Sequence, residues 1–476
     1  MTQSRRDFLR KTGCALSMAA LATQVEHFGL MSALAQETGA GDGGDYKALV
    51  CIFMSGGNDG NNTVVPNHSD ASLSNYATYS GVRTASGLAI PQASLLPITV
   101  PRMGGLTYGL HPNLVELQTL WNQQKLGIVT NVGTLVQPMT RTTYQNNSVP
   151  KPYQLFSHSD QVQQAQSANA ATPTSSGWGG RTSDLLAGLN TGAQIPMITS
   201  VAGTQLFTAG QVTKPLAVNP APTALNQLLT LTGYNTTAES LARRAAYDQL
   251  RTVDLSSNVV RAVHDITQEA TIASTALNRP DPTLTTTFPN TSIGNQLRQV
   301  AKFLAIRNDI TINRQIFFCS LGGFDTHTGE VAAHVTLLGQ LSQAMKAFYD
   351  ETVALSIADK VTTFTLSDFG RTLLPSGVGA ATVGTDHAWA NHMFVMGGSV
   401  LGGNFYGMNT SNGTPYPTLQ LSGPDDADNR GRFIPTTAVE QYAATLATWY
   451  GLGAGSLSTV FPFLSNFGSN NLGFMT

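Results

Sequence analysis

Short apolar runs that read as buried strands recur through this chain at residues 48–54, 126–132, 195–201, 315–321, 361–366 and 393–396. Helical patterns lie between them. Leu114, Leu117, Leu120 and Trp121 recur at helical spacing, as do Leu297, Val300, Ala301 and Leu304, and then Leu338, Leu341, Met345 and Phe348. A last helix is expected over about 438–450. Strands alternating with helices predict an α/β fold, a mostly parallel sheet with helices on both faces. No fixed-period repeat is present, which argues against a solenoid or propeller.

Residues 1–35 are expected to be an export signal. Ser4-Arg5-Arg6-Asp7-Phe8-Leu9-Arg10 is a twin-arginine pattern, followed by a weakly apolar stretch at 13–22 and an A-x-A cleavage site at Ala33-Leu34-Ala35. Gln24, Glu26 and His27 interrupt the apolar stretch, which falls short of the roughly 20 residues of a membrane span. The expected location is the periplasm or the exterior, the expected partner is the twin-arginine export machinery, and no stable membrane anchor is expected. Residues 36–47 form a flexible leader. A single α/β domain follows over 48–465, with a mainly helical insertion at about 205–314, where Pro280, Pro282 and Pro289 break the helical patterns, and 466–476 is a Gly/Ser/Asn-rich tail.

The chain holds 26 basic against 28 acidic residues, and only 11% of it is charged. That balance argues against nucleic acid or an anionic membrane as the main partner. Cys51 and Cys319 both fall inside strand patterns. They are read as buried thiols, with a disulfide as the alternative if their strands are neighbours.

Four loops carry the chemistry: Ser55-Gly56-Gly57-Asn58-Asp59-Gly60, Gly322-Gly323-Phe324-Asp325-Thr326-His327, Ser367-Asp368-Phe369-Gly370-Arg371-Thr372 and Gly384-Thr385-Asp386-His387. Three directly follow apolar runs, and loops leaving the carboxyl ends of parallel strands gather in one crevice. Asp beside Gly or Asn also suits an ordinary turn. The conjunction favours a metal, because three of nine histidines, His327, His387 and His392, fall in or beside these loops. Mixed carboxylate and imidazole ligands suit Zn or Mn better than Ca or Mg. Arg371 either holds Asp368 or presents its planar fork to an anionic substrate. His334 lies on an apolar helical stripe and is read as a packed core histidine. Ser157, in Phe156-Ser157-His158-Ser159-Asp160-Gln161, begins a helical segment; with Asp160 it fits a capping box, or else it presents a hydroxyl where backbone N–H groups stabilise anions. G-x-S-x-G and H-E-x-x-H are both absent from the sequence.

These four loops, the twin-arginine start and His392 before Phe394-Val395-Met396-Gly397-Gly398 resemble the bacterial domain-of-unknown-function family 1501, across nearly the whole chain and in its order. That family is grouped with the alkaline phosphatase and sulfatase superfamily. The resemblance implies an alkaline-phosphatase-like three-layer sandwich and a divalent metal. It also implies Asp59 as the first-strand ligand, Ser157 as nucleophile, Asp325 and His327 as a ligand pair, Asp368 as a further ligand, and His387 or His392 as the late histidine, with Asp386 beside them. Phe369 stands where alkaline phosphatases have a histidine, which points to a single metal or a rebuilt site. The implied function is metal-dependent hydrolysis of phosphate or sulfate esters, with Arg371 stabilising developing charge. The alternative is a non-catalytic exported binding or assembly protein with a degenerate site.

Overall fold

The structure is a computed structural model and describes residues 46–231 and 236–476. The expected export signal and most of the leader lie outside the described residues. The first strand, Lys47–Ser55, is buried along nearly its whole length. Leu49, Cys51 and Phe53 pack into one apolar cluster, while Ala48, Val50, Ile52 and Met54 pack into another on the opposite face. A strand covered on both sides has no need of polar alternation, so its sequence is a continuous apolar run.

Across the sheet the strands run Phe405–Tyr406, Leu126–Gly133, Asn391–Gly397, Val361–Ser367, Lys47–Ser55, Arg314–Gly322, Ile198–Ser200 and Leu216–Ala217, with Thr437–Ala438 also paired to Leu126–Gly133. All of these pairings are parallel except those of Asn391–Gly397, which is antiparallel to both neighbours. Helices Val115–Asn122, Ser292–Ala305 and Glu330–Ala354 cover one face. Helices His158–Ser167, Trp178–Leu186 and Val439–Tyr450 cover the other. The expected three layers are present.

The 205–314 stretch is mainly helical and divides in two: Ser292–Ala305 covers the sheet, whereas Ala238–Leu250 and Asn258–Leu277 are largely exposed. Gly384–His387, expected as a loop, is a strand paired with Arg371–Ser376. Cys51 and Cys319 are free and buried. Their strands are neighbours, but Cys319 pairs in register with Ile52, so the two thiols face opposite sides of the sheet and cannot bridge. Among the described residues no helix is long and apolar enough to cross a membrane.

Candidate metal centre

Three parallel strands deliver their exit loops to one place. Gly56 turns the chain out of the first strand at φ +114°, where a Cβ would lie 2.3 Å from the backbone nitrogen of Asp325. Only glycine tolerates both the conformation and the approach. Its N–H donates to Asp368 Oδ1 at 3.1 Å, which ties the first exit loop to the loop after Val361–Ser367. The antiparallel strand enters the sheet from the same end, since Asn391 pairs with Val132 and Gly397 with Thr362. Gly384–His387, just upstream of it, therefore reaches the same crevice.

There the imidazoles of His158, His327 and His387 converge with the carboxylate of Asp325. His387 Nε2 lies 3.0 Å from His158 Nε2 and 2.9 Å from His327 Nε2. Asp325 Oδ1 lies 3.3 Å from His158 Nε2, 3.1 Å from His327 Nε2 and 3.3 Å from His387 Nε2. His158, Asp325 and His387 form a closed triangle of potential ligands, with all three ligand atoms within 4.8 Å of one another. On a tetrahedral ion with bonds of about 2.0–2.1 Å, neighbouring donors stand roughly 3.3–3.4 Å apart. The observed separations match that spacing to a few tenths of an ångström.

The other nitrogen of each ring decides what these contacts are. His158 Nδ1 lies 2.7 Å from Asp368 Oδ2, His327 Nδ1 lies 3.3 Å from Asp386 Oδ1, and His387 Nδ1 lies 2.8 Å from the carbonyl oxygen of Phe156. A carboxylate or carbonyl oxygen only accepts, so in each neutral ring Nδ1 carries the proton and Nε2 is left as a lone pair. The lone pairs of His158 and His387 and a carboxylate oxygen of Asp325 then face one another with no proton to share, with His327 Nε2 beside His387 and Asp325. An orienting acceptor behind each ring and convergent lone pairs in front is the arrangement metal-binding histidines adopt.

Charge around the cluster is set by its neighbours. The hydrogen bond to Asp368 raises the His158 pKa against the opposing effect of burial, whereas burial lowers that of His387. Burial pushes the Asp325 carboxyl upward, but the hydrogen bond and charge of Arg371 outweigh it and leave its pKa lowered. Phe369 is buried and its ring centroid lies 4.7 Å from that of His158 and 4.8 Å from that of His387. Its ring is an aromatic wall against two of the imidazoles. The donor atoms remain reachable, with the Asp325 and His327 side chains 46% and 45% exposed.

The expected site residues thus fall into separate roles. Asp325, His327 and His387 come together as donors. Asp368 and Asp386 stand one step behind, orienting His158 and His327. Asp59 does not reach the cluster. It is fully buried in an ion pair with Arg83, and its Oδ1 accepts from Asn61 N at the head of a short helix, which corrects the ligand role implied for it. His392 is also elsewhere: its Nδ1 accepts from Asn131 N at 3.2 Å, its ring stacks on Tyr416, and burial pushes its pKa down to about 4.

Arg371 pairs with Asp325 at 2.9 Å rather than with Asp368. Its remaining nitrogens donate to the hydroxyl and carbonyl of Thr385, and its side chain is fully buried. It cannot offer a free fork to a substrate, because the fork is already used to hold the site together. Ser157 occupies the N-cap of His158–Ser167 without a side-chain cap; its hydroxyl donates instead to Asp160 Oδ2 at 2.5 Å. The capping box is therefore not formed. His334 is buried against Phe324 and His111, as expected of a core histidine.

Sequence reasoning missed His158 and Arg83. His158 stands inside the quoted Ser157 motif two residues before Asp160, the same separation as Asp325 and His327, but that motif follows no apolar strand run and reads as a helix start. Arg83 lies in helix Tyr76–Arg83, and nothing in its surroundings along the chain points to Asp59.

The chain matches the family model described as "Protein of unknown function (DUF1501)" over residues 46–418. No curated protein matches it. Among solved structures, it is similar to the C-terminal periplasmic domain of EcEptC from Escherichia coli in complex with Zn, at 10% identity over 75% of this chain and 74% of that one, TM-score 0.31. It is similar to PsFucS1 sulfatase from Pseudoalteromonas sp. at 11% identity over 80% and 68% of the two chains, TM-score 0.26. It is also similar to alkaline phosphatase from the Antarctic bacterium TAB5, at 10% identity over 74% and 92%, TM-score 0.20.

Proposed function

We propose that this chain, which belongs to the DUF1501 family, is an exported metal-dependent hydrolase acting on phosphate or sulfate esters. The observation that carries the reading is the convergence of imidazole lone pairs and one carboxylate oxygen, each imidazole held from behind through Nδ1. His158, Asp325 and His387 would hold the ion, and His327 lies within reach of the same point. A donor set rich in imidazole favours Zn, with Mn next, over Ca or Mg. When bound, such an ion supplies a Lewis acid for an anionic ester oxygen.

The chain's own residues supply the rest. Ser157 sits directly before His158 at the amino end of a ten-residue helix, where backbone N–H groups favour negative charge. Its hydroxyl already points at the Asp160 carboxylate, which is placed to take its proton. Arg430 pairs with Asp386, and Arg432 donates to the carbonyl of His387 at 2.8 Å. Both guanidiniums are partly exposed and paired, Arg430 with Asp386 and Arg432 with Asp428, so they brace the Asp386–His387 segment at the rim of the site. The twin-arginine pattern supports export already folded, through the machinery that reads it.

One observation favours a second reading, an exported binding or assembly protein that keeps the metal without turnover: Arg371 is consumed inside the site. The test is an ester panel on the full chain purified through its own export route and supplied with Zn or Mn. Phosphate or sulfate ester hydrolysis that disappears in Asp325→Ala and His387→Ala and falls in Ser157→Ala supports the hydrolase. Bound metal with no turnover on the panel overturns it in favour of the second reading.

A further inference from the structure

Helices Ala238–Leu250 and Asn258–Leu277 lie antiparallel, with Tyr247 Oη 3.2 Å from Thr267 Oγ1 and Arg251 Nη1 3.2 Å from His264 Nδ1. The first helix buries none of its residues, and the second buries only Ala273, Ala276 and Leu277 at its foot. There Ser274 Oγ donates to the carbonyl of Leu229 at 2.6 Å, anchoring the base of the hairpin. A helix of this length with no buried face is marginal in water, because helical stability in proteins comes mostly from packing an apolar face.

The apolar side chains exist, but they face solvent. Leu241 is 51% exposed, Leu250 69% and Val253 77%, and Val259, Val263 and Ile266 fall at i, i+4 and i+7 on the second helix, all of them exposed. Of the fifteen large apolar residues exposed among the described residues, nine lie between 241 and 272. Their open surface, summed over both helices and the connecting turn, is of the order of 800 Å², and a standard-size protein interface takes about that much from each partner.

We propose that this hairpin is the interface with a second copy of the same chain. A two-fold contact presents the same patch from both sides, so the patch must be complementary to itself in charge as well as apolar. Residues 238–277 carry four arginines and five acidic residues, interspersed along both helices. That near balance suits self-pairing and does not suit an anionic membrane or nucleic acid, either of which selects an excess of basic residues. Two such hairpins packed together make a four-helix bundle, and the Val259, Val263 and Ile266 stripe supplies its seam.

Sedimentation velocity and light scattering on the full chain test this. The wild type is expected at twice the chain mass. Val263→Glu with Ile266→Glu is expected to raise the dimer dissociation constant at least tenfold, while the cooperative melting of the sheet domain and the metal content stay unchanged. Should that pair unwind the hairpin, Leu250→Glu with Val253→Glu, at the hairpin's turn, provides an independent perturbation with the same expected dissociation. A wild type that remains monomeric at high micromolar concentration overturns the proposal, as does a dimer that survives both pairs. Monomeric protein that co-sediments with phosphatidylglycerol vesicles also overturns it, because the patch would then serve a lipid surface.

Discussion

Replacing Asp368 with Asn isolates the hydrogen bond behind His158 at almost no change in volume. The side chain of Asp368 is 1% exposed and accepts twice, from His158 Nδ1 at 2.7 Å and from Gly56 N at 3.1 Å. An amide offers one acceptor and one donor, so it cannot serve both. If its oxygen stays with His158, its NH₂ faces the Gly56 N–H, and that buried donor is left unsatisfied at about 1–3 kcal/mol of stability. If it turns round, its NH₂ donates to His158 Nδ1, the ring changes tautomer, and an N–H instead of a lone pair points at the other ligands. In the first arrangement the loss falls on stability; in the second metal binding weakens, by about 10–100-fold as for other lost orienting partners, or roughly 1.4–2.7 kcal/mol. Competition against a chelator with a known Zn affinity reads the loss directly, and melting in EDTA separates it from any change in the fold itself. An Asp368→Asn protein with both wild-type metal affinity and wild-type stability in EDTA would refute the reasoning, since one of the two contacts of Asp368 must be lost.

Other expectations follow from particular contacts. Burial holds the Glu440 pKa near 8, against the usual 4.5, with the Phe463 N–H and Arg181 opposing the shift. The native state binds this proton more tightly than the unfolded chain, so the stabilisation is complete below about pH 4.5 and is lost as pH rises through about 8. Glu440→Gln should remove up to about 4–5 kcal/mol of pH dependence across that window, and urea melts at pH 5 and pH 9 that differ equally in both proteins would contradict this. Gly56→Ala places a methyl 2.3 Å from Asp325 N in a left-handed conformation; the soluble yield or the melting temperature should fall sharply, and a normal melt with normal metal content would show that the loop has more room than its geometry indicates. His392→Phe should leave metal content intact, because His392 stacks on Tyr416 outside the cluster; a metal-free product with a normal fold would return His392 to the ligand set.

The apolar runs were legible because burial on both faces writes itself directly into sequence. Residues 48–54, 126–132 and 361–366 all lie inside strands Lys47–Ser55, Leu126–Gly133 and Val361–Ser367. Gly384–His387 was not legible, since a strand made of Gly, Thr, Asp and His forms by backbone pairing with Arg371–Ser376 and by the fit of Gly384 against His327, without apolar alternation. The site divides in the same way. Asp325, His327 and His387 stood out because carboxylates and imidazoles sit together in loops. Their neighbours along the chain could not reveal that Arg83 would neutralise Asp59 or that Arg371 would lock onto Asp325 and Thr385, because those choices depend on which loops the sheet brings into contact. His158 reaches the cluster from the opposite helical layer, and only the three-dimensional arrangement shows Asp368 behind it.

The central claim is that His158, Asp325 and His387, with His327 beside them, hold a divalent metal. Elemental analysis of the full chain isolated through its own export route, without added metal, tests it most directly. At least one equivalent of Zn or Mn per chain is expected, falling to background in His387→Ala while the fold persists. Folded wild-type protein that contains no metal and takes up neither ion on titration would contradict the account.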